Sequence, residues 1–506
     1  MDSRKRILVN TTAQYTKAFI NICLSLYTVP IILDALGEND YGVYSLIAGI
    51  VAMLAFVTNA MVVTTQRHIS FYIGQDNDHS TRKIFSNSVL MHIAIGLLLA
   101  LIIIPCRDIF IPNLNIEECR KPVAAIVYHM SVTMIFISFI TAPFKAALIA
   151  HENIVFISVV EVMDGLIKLV MTLMLLNMDV DKLLIYSYMM TSVFAFEFVI
   201  YLIYSITRYK ECKPRMFLHD YDISYLKELG GFAGWTTFGM GAVIGRTQGM
   251  SVLFNQFFGT TANAAYGIAT HFYSYVSFIS TSVVNAMNPQ IMQAEGRKDR
   301  LRMLNLAEQE SKILFILMSV VFIPLIIEMD GILSIWLQHK VPEGTCIMCQ
   351  CLLAAFIADQ STYGLLSANQ ATGKIKWFTI IMYTPKLLFI ALVWLMFVNH
   401  HSIEEAMFAF IGIETVMAFA RLPYMKYTAK LSIVHFVRHV FFRETILIAV
   451  LIIAGLLLRQ YIHFPFSFLL TIPLNLSIGS LTIWTVVLTK EERIAMMQLI
   501  KDKVSK

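Results

Sequence analysis

The stretch LDALGENDYGVYSL (residues 33–46) separates two long apolar segments with a very short polar break at Gly37-Glu38-Asn39-Asp40. The whole chain is unusually apolar: 57% of its residues are hydrophobic, 14% are charged, and its mean hydropathy is +0.68. Soluble domains average about 45–50% apolar and about 25% charged residues. A bilayer core about 30 Å thick requires roughly 20 apolar residues per helix. The stretch therefore predicts a tight polar turn between two membrane-spanning helices, with Gly37 supplying backbone freedom.

The pattern of apolar segments and short polar breaks continues along the chain. It predicts an all-α polytopic membrane protein with about fourteen transmembrane helices, which we call spans 1 to 14. The spans are placed at residues 11–33, 42–66, 84–105, 122–146, 154–177, 182–206, 231–257, 264–291, 305–327, 346–368, 377–398, 404–424, 444–462 and 466–488.

Lys and Arg residues set the predicted orientation. Most of the 39 basic residues fall on the same side as the N-terminus, including those in 208–215, 296–302 and 490–506. By the positive-inside rule this side is cytoplasmic, so both termini are expected there, with no signal peptide removed. The net charge of +5 reflects this topology and does not indicate nucleic-acid binding. Segments 431–444 and 492–504 have the mixed apolar and basic pattern of helices that lie on a membrane face.

The opening stretch recurs in altered form about 220 residues later, which indicates an internal repeat. LFNQFFGTTANAAYGIA (253–269) places Gly259 where the first stretch has Gly37. Other pairs keep nearly the same offset: MVVTTQRHI (61–69) with SVVNAMNPQI (282–291), ALIAHEN (147–153) with LLSANQA (365–371), and Lys168 with Lys386.

A repeat of six helices has an even number of crossings, so both copies enter the membrane in the same orientation. The pseudo-twofold axis is then expected along the membrane normal, with two lobes facing each other across a central cavity. This arrangement predicts a transporter that works by alternating access. The predicted regions are an N-terminal lobe (1–215), a C-terminal lobe (216–430), and a last region (431–506) with an interfacial segment, spans 13 and 14, and a cytoplasmic tail.

The seven cysteines do not define a disulfide framework. Cys106 and Cys119 fall in one predicted external loop, and the sequence leaves open whether they pair. Cys346, Cys349 and Cys351 begin an apolar span without a histidine or a second thiol pair nearby. They are interpreted as small core residues, and no metal site is expected.

Basic residues inside the spans are candidate substrate ligands, because burying a charge in a membrane is costly unless it is paired or faces water. Four of them occupy two pairs of repeat-related spans: Lys17, Lys168, Arg246 and Lys386. Arg67 ends span 2 and is a candidate for first contact with an anionic headgroup. Lys312 lies near a helix start, where it is either a ligand or a side chain that snorkels to the interface.

Acidic residues inside the spans are candidate ion-coupling groups. Glu161, Asp164 and Lys168 share one helix face, and Asp164 with Lys168 forms either a structural i, i+4 ion pair or part of a site. A carboxylate beside a lysine can also exchange its partner for H⁺ or Na⁺, and no other cofactor is expected. The remaining acidic candidates are Glu197, Asp359 and Glu414. Five basic and five acidic candidates lie inside the spans, so charge alone does not fix the sign of the substrate.

Several segments resemble one known family. They are VPIILDALGENDYGVYSL (29–46), TTQRHIS (64–70), NPQIMQAEG (288–296) and the segment 311–337, which includes most of span 9. The chain resembles the polysaccharide (Wzx-like) flippases of the multidrug/oligosaccharidyl-lipid/polysaccharide exporter superfamily. The resemblance implies a flippase for an undecaprenyl-diphosphate-linked oligosaccharide, such as an O-antigen, capsule or exopolysaccharide repeat unit, in the bacterial inner membrane. Its implied partners are that lipid-linked oligosaccharide and membrane lipids, with a glycan polymerase and glycosyltransferases as further candidates.

Two other functions compete with flipping. A cation-coupled multidrug or metabolite antiporter of the same superfamily would depend chiefly on the acidic candidates. A membrane glycan polymerase or acyltransferase is less favoured, because such an enzyme would present a catalytic constellation in a sizeable external loop. The predicted outer connections are mostly short, and the longest, near 106–121 and 328–345, contain no triad or metal set. The sequence therefore predicts a transporter and not an enzyme.

Overall fold

The computed structural model describes residues 3–112, 117–213, 220–337, 341–462, 466–488 and 492–493. These residues form helices and connecting turns, with no β-strand among them. The helices are α1 (Ser3–Gly74), α2 (Asp78–Phe110), α3 (Lys121–Ala150), α4 (Ile154–Leu176), α5 (Lys182–Arg208), α6 (Ile223–Gly296), α7 (Arg300–Ile327), α8 (Met329–Trp336), α9 (Thr345–Gln360), α10 (Tyr363–Thr372), α11 (Ile375–Val398), α12 (Ile403–Ala429), α13 (Ile433–Phe436), α14 (Phe442–Tyr461) and α15 (Phe468–Thr482). A 3₁₀ turn (Glu118–Arg120) precedes α3, and π-helical turns (Val437–Phe441 and Ile483–Val487) precede α14 and follow α15.

The two longest helices, α1 and α6, each consist of two helices joined at one glycine. Gly37 has φ 76° and ψ 165°, and Gly259 has φ 83° and ψ −174°. This region of backbone space is open essentially only to glycine. The predicted polar turn was too long, since residues 38–40 are already helical. One glycine in this conformation is enough to interrupt the helix, and its recurrence at the matched position supports the internal repeat.

Each of the fourteen predicted spans coincides with a helical segment. Within the described ranges, nine helices are long and apolar enough to cross a membrane. Span 10 is divided between α9 and α10, because Ser361 and Thr362 separate the two helices. Large apolar side chains such as Leu101, Val170 and Leu388 are exposed, as on a surface that faces lipid. The chain is an all-helical, multi-pass membrane protein.

The helices form two compact units. The first unit comprises 6–240 and 296–298, and the second comprises 1–5, 241–295 and 299–506. The core of the second unit includes residues of α14, such as Leu447 and Leu451, so the last helices pack with this unit. The boundaries predicted at 215/216 and 430/431 remain predictions. Residues 494–506, which hold most of the interfacial segment predicted at 492–504, lie outside the described residues.

Asp40, the last residue of the polar break in the opening stretch, forms an ion pair with an arginine from another connection. Arg120 Nε donates to Asp40 Oδ1 at 2.9 Å, and Arg120 Nη1 donates to Asp181 Oδ2 at 2.6 Å. Asp181 also caps α5 by accepting a hydrogen bond from the Leu184 amide at 3.1 Å. The predicted topology puts all three connections on the outer side, so this ion-pair network joins α1, α3 and α5 at one end of the first unit.

The Arg120 network predicts an acid-dependent stability. Its hydrogen bond holds the pKa of Asp181 below the ordinary value. Because the pKa of Asp181 is lower in the folded protein than in the unfolded chain, where it is about 3.9, the ionised carboxylate stabilises the fold above that pH. This contribution is lost as the pH falls through the pKa that Asp181 has in the folded protein. We expect Arg120→Gln to lower the melting temperature near neutral pH by about 2–4 °C, roughly 1 kcal/mol in a unit of this size. The difference should shrink below about pH 4, and a pH-independent difference in thermal unfolding would contradict the assignment.

Gly364 marks a close approach between α10 and α7. A Cβ atom built on Gly364 would lie 1.9 Å from the carbonyl oxygen of Ala307. We expect Gly364→Ala to separate the two helices and cost about 1–3 kcal/mol. The matched control is Gly412→Ala on α12, whose Cβ would meet nothing within 4 Å; it should be neutral or stabilising. Thermal unfolding in detergent measures both, and equal stability of the two variants would contradict the close approach.

Candidate functional site

In the first unit, charged side chains from several predicted spans lie close to Glu161 on α4. Lys17 Nζ from α1 lies 2.6 Å from Glu161 Oε2, and Lys145 Nζ from α3 lies 2.7 Å from Glu161 Oε1. One carboxylate thus binds two cations from two other helices. The three side chains are partly exposed, at 12–32%. Lys145 was not singled out from the sequence, although it lies inside predicted span 4.

Further charges lie beside this carboxylate. Lys168 Nζ donates to Asp164 Oδ2 at 2.8 Å, which confirms the predicted i, i+4 pair, and the same ammonium lies 5.6 Å from the Phe194 ring centroid. Glu197 on α5 interacts electrostatically with these groups but forms no ion pair among the described residues. We call these six side chains the Glu161 cluster: Lys17, Lys145, Glu161, Asp164, Lys168 and Glu197.

The second unit has the same motif around Glu414 on α12. Lys386 Nζ from α11 lies 2.6 Å from Glu414 Oε2, and Arg246 from α6 binds the other carboxylate oxygen. The three side chains are only 6–9% exposed. The Arg246 guanidinium also lies 4.5 Å from the Phe410 ring centroid. Two cations again share one glutamate, but here all three side chains are much less exposed to solvent than those around Glu161.

A second ion pair accompanies Glu414. Arg421 Nη1 donates to the Asp359 carbonyl oxygen at 3.0 Å and lies 3.3 Å from Thr362 Oγ1, while its Nη2 binds the Asp359 carboxylate. Asp359 also interacts electrostatically with Lys386. Arg421 was missed in the sequence, although it lies seven residues after Glu414 and therefore on the same helix face. The Glu414 cluster consists of five side chains: Arg246, Asp359, Lys386, Glu414 and Arg421.

The two clusters differ in charge and in exposure. The Glu414 cluster holds three cations against two carboxylates, which leaves one positive charge in excess. In that cluster Nε of Arg246 and Nε of Arg421 are buried without a hydrogen-bond partner among the described residues. The Glu161 cluster balances three cations with three carboxylates. Because burial strengthens electrostatic attraction, the excess charge of the Glu414 cluster favours an added anionic group.

Arg67 lies outside both clusters, at the end of span 2 that the predicted topology puts on the cytoplasmic side. It is 4% exposed, lies 4.8 Å from the Phe71 ring centroid, and contacts Glu228 Oε1 at 3.8 Å. His68 Nδ1 donates to the Thr64 carbonyl at 2.8 Å, and its Nε2 lies 3.3 Å from the same carboxylate oxygen. The contact with His68 holds the pKa of Glu228 below its ordinary value. The role of Arg67 in receiving a headgroup stays a prediction.

Lys312 and the cysteines have other surroundings. Lys312 Nζ lies 2.9 Å and 3.0 Å from the two carboxylate oxygens of Glu492, so it pairs with the C-terminal segment. Cys106 and Cys119 are both free and exposed, so the disulfide left open by the sequence is not formed. Among the described residues, no three His, Cys, Asp or Glu side chains converge as a metal site.

Comparisons with known proteins show which solved structures share this fold. No protein-family model and no curated protein matches the chain. Among solved structures, MATE in the straight conformation matches with a TM-score of 0.72 and 12% identity over 85% of this chain and 97% of that one. MATE in the bent conformation gives 0.74 and 11% over 85% and 96%. A MOP superfamily transporter from Pyrococcus furiosus, whose binding pocket is described as having reverse polarity, gives 0.69 and 10% over 85% and 96%. The chain therefore has the fold of MATE transporters.

Proposed function

We propose that this protein is a cation-coupled membrane antiporter for an organic solute, a drug or a metabolite, that carries an anionic group. The fold it shares with solved MATE transporters supports transport. The observation that carries the choice of solute is the buried Glu414 cluster, in which one carboxylate is shared by Arg246 and Lys386. Its positive excess disfavours a cationic solute and favours an anionic one.

Glu414 acts in this proposal as an internal substitute for the solute. While the site is empty, its carboxylate pairs with both Arg246 and Lys386, which would otherwise be buried without a counter-ion, although its single negative charge balances only one of them. An incoming carboxylate, sulfonate or phosphate takes over those two cations. Arg246 can present a bidentate fork to such a group, and Lys386 adds a point charge.

The Glu161 cluster is the proposed ion-coupling element. It is more exposed than the Glu414 cluster, and Glu197 there has no ion-pair partner among the described residues. H⁺ or Na⁺ can therefore bind a carboxylate without displacing every lysine. Antiport follows if ion binding and solute binding favour opposite states in alternating access.

Flipping of an undecaprenyl-diphosphate-linked oligosaccharide is the second candidate. The same cationic excess suits a diphosphate, and the motif resemblance at 29–46 and 64–70 favours this substrate. A bacterial inner-membrane location with cytoplasmic termini, and work beside a polymerase and glycosyltransferases, belong to this candidate.

Reconstitution distinguishes the two candidates. Vesicles containing the purified protein would be loaded either with anionic fluorescent dyes or with a prenyl-diphosphate-linked saccharide whose leaflet is read by an impermeant lectin. Dye efflux driven by an inward H⁺ or Na⁺ gradient supports the antiporter. Saccharide transfer between leaflets without dye efflux supports the flippase. Transport of neither probe, in a preparation with native thermal stability, contradicts both candidates.

A further inference from the structure

A basic cavity lies at one end of the first unit, apart from the Glu161 cluster. Its volume is about 740 Å³, within the range of about 300–1,000 Å³ that is typical of ligand sites. Four segments build it: the start of α1, the start of α2, the turn between α3 and α4, and the end of α5 with the turn that follows. The predicted topology puts all four segments on the cytoplasmic side.

Basic side chains outnumber acidic ones around this cavity. Arg6, Arg82, Arg208 and Lys210 line it, against Asp78 and Glu211. Arg208 forms no ion pair among the described residues. Lys210 lies 3.7 Å from Asp78, but both side chains are about 80% exposed, so this pair neutralises little.

One of the two acidic side chains that line the cavity is already engaged. Glu211 is 9% exposed and its Oε1 lies 2.5 Å from His151 Nε2. Arg6 is engaged as well, because its Nη2 donates to the His151 carbonyl at 2.7 Å and its Nε lies 3.4 Å from Glu152 Oε2, so the basic excess rests on the other lining residues. Glu211 is therefore directed at His151 and not at the arginines that line the open part of the cavity.

Stacked rings and hydrogen bonds order one wall of the cavity. The His151 ring stacks on Tyr209 with centroids 4.0 Å apart and planes 7° from parallel. Asn153 Nδ2 donates to the Tyr204 hydroxyl at 2.6 Å, and Tyr204 stacks on Phe156 at 3.8 Å. The positive-inside rule alone would explain basic residues scattered over a cytoplasmic face. These basic residues instead line one formed cavity, and hydrogen bonds hold the aromatic side chains of its wall in place.

We propose that this cavity binds a phosphate or diphosphate group at the cytoplasmic end of the first unit, with Arg82 and Arg208 as the principal ligands. Guanidinium groups bind phosphate oxygens bidentately. The Tyr204 and Tyr209 hydroxyls accept hydrogen bonds from Asn153 and keep their own protons to donate to a phosphate. The phosphate can come from an anionic lipid headgroup at the membrane surface or from a soluble phosphate compound. The site does not depend on which solute the protein transports.

Equilibrium binding to the full-length protein in phosphatidylcholine nanodiscs tests the proposal. The probes are inorganic diphosphate, for the soluble source, and a short-chain prenyl diphosphate, for the lipid source. We expect Arg208→Gln and Arg82→Gln each to weaken binding at least about tenfold, and binding to fall steeply with salt. The control is Lys213→Gln, an exposed lysine on the same turn that does not line the cavity; it should change binding less than about twofold.

The outcomes distinguish a lipid source of the phosphate from a soluble one, and a specific site from a diffuse surface attraction. Binding of the prenyl diphosphate alone supports a lipid headgroup, and binding of both probes supports phosphate recognition from solution. Equal weakening by Lys213→Gln would show a diffuse surface attraction and overturn the proposal. So would the absence of binding by either probe, or full binding by an Arg82→Gln, Arg208→Gln double variant that keeps the wild-type melting temperature.

Discussion

Glu414→Gln should destabilise the second unit by about 3–5 kcal/mol, because it leaves Arg246 and Lys386 buried with no shared carboxylate. The loss of a single hydrogen bond would cost only about 1 kcal/mol. Removing one of the two stranded charges should recover most of the loss, so the double variant Glu414→Gln, Lys386→Met is expected to approach wild-type stability. Fluorescence-monitored thermal unfolding in detergent measures the three proteins.

Glu404→Gln is the matched control for this experiment. Glu404 lies on the same helix as Glu414 but is exposed at its start, so its replacement should shift the melting temperature little. If Glu414→Gln were no less stable than Glu404→Gln, the two buried cations would not depend on Glu414. If adding Lys386→Met to Glu414→Gln lowered the stability further, the loss in Glu414→Gln would not come from an unpaired Lys386, and the account would be contradicted.

Glu161→Gln should lower gradient-driven solute flux at least about tenfold while leaving solute exchange without a gradient close to wild type. The reason is that glutamine cannot bind H⁺ or Na⁺ as a carboxylate does, although its carbonyl oxygen can still accept a hydrogen bond from one of the two lysines that now contact Glu161, Lys17 or Lys145. Flux with and without an imposed ion gradient, in vesicles with equal protein content, measures the two activities separately.

Asp179→Asn is the control for the Glu161 variant. Asp179 is exposed in the turn between α4 and α5 and belongs to neither cluster, so its loss should change neither activity. Unchanged gradient-driven flux in Glu161→Gln would show that Glu161 is not the ion-coupling carboxylate of its cluster. Equal loss of both activities would assign Glu161 to the conformational cycle or to the solute site.

Local sequence patterns predicted the fold well. The hydrophobic segments gave the helices, because each span must satisfy its own backbone hydrogen bonds in lipid. Gly37 and Gly259 marked the breaks in α1 and α6, since no other residue adopts their conformation readily. The length of the first break was overestimated, because polarity at residues 38–40 indicates proximity to the surface and does not by itself end a helix.

The candidate site was predictable where its contacts are local. The Asp164–Lys168 pair follows from i, i+4 spacing. In contrast, Glu161 contacts Lys17 from 144 residues away, and such a contact depends on which helix faces pack together. Lys145 and Arg421 were missed because their partners come from other helices or distant turns. Both also lie near the end of a span, where a basic side chain can ordinarily reach the membrane interface.

Solute flux in sealed vesicles tests the proposed antiport of an anionic solute most directly. The measurement compares efflux of anionic and cationic dyes of similar size under an inward H⁺ or Na⁺ gradient, for the wild type and for Glu414→Gln, Lys386→Met. We predict efflux of anionic dyes that the gradient accelerates and that the double variant loses, with Lys426→Gln, an exposed lysine on α12, as the unaffected control. Efflux of cationic dyes in preference to anionic ones, unchanged in the double variant, would contradict the proposal.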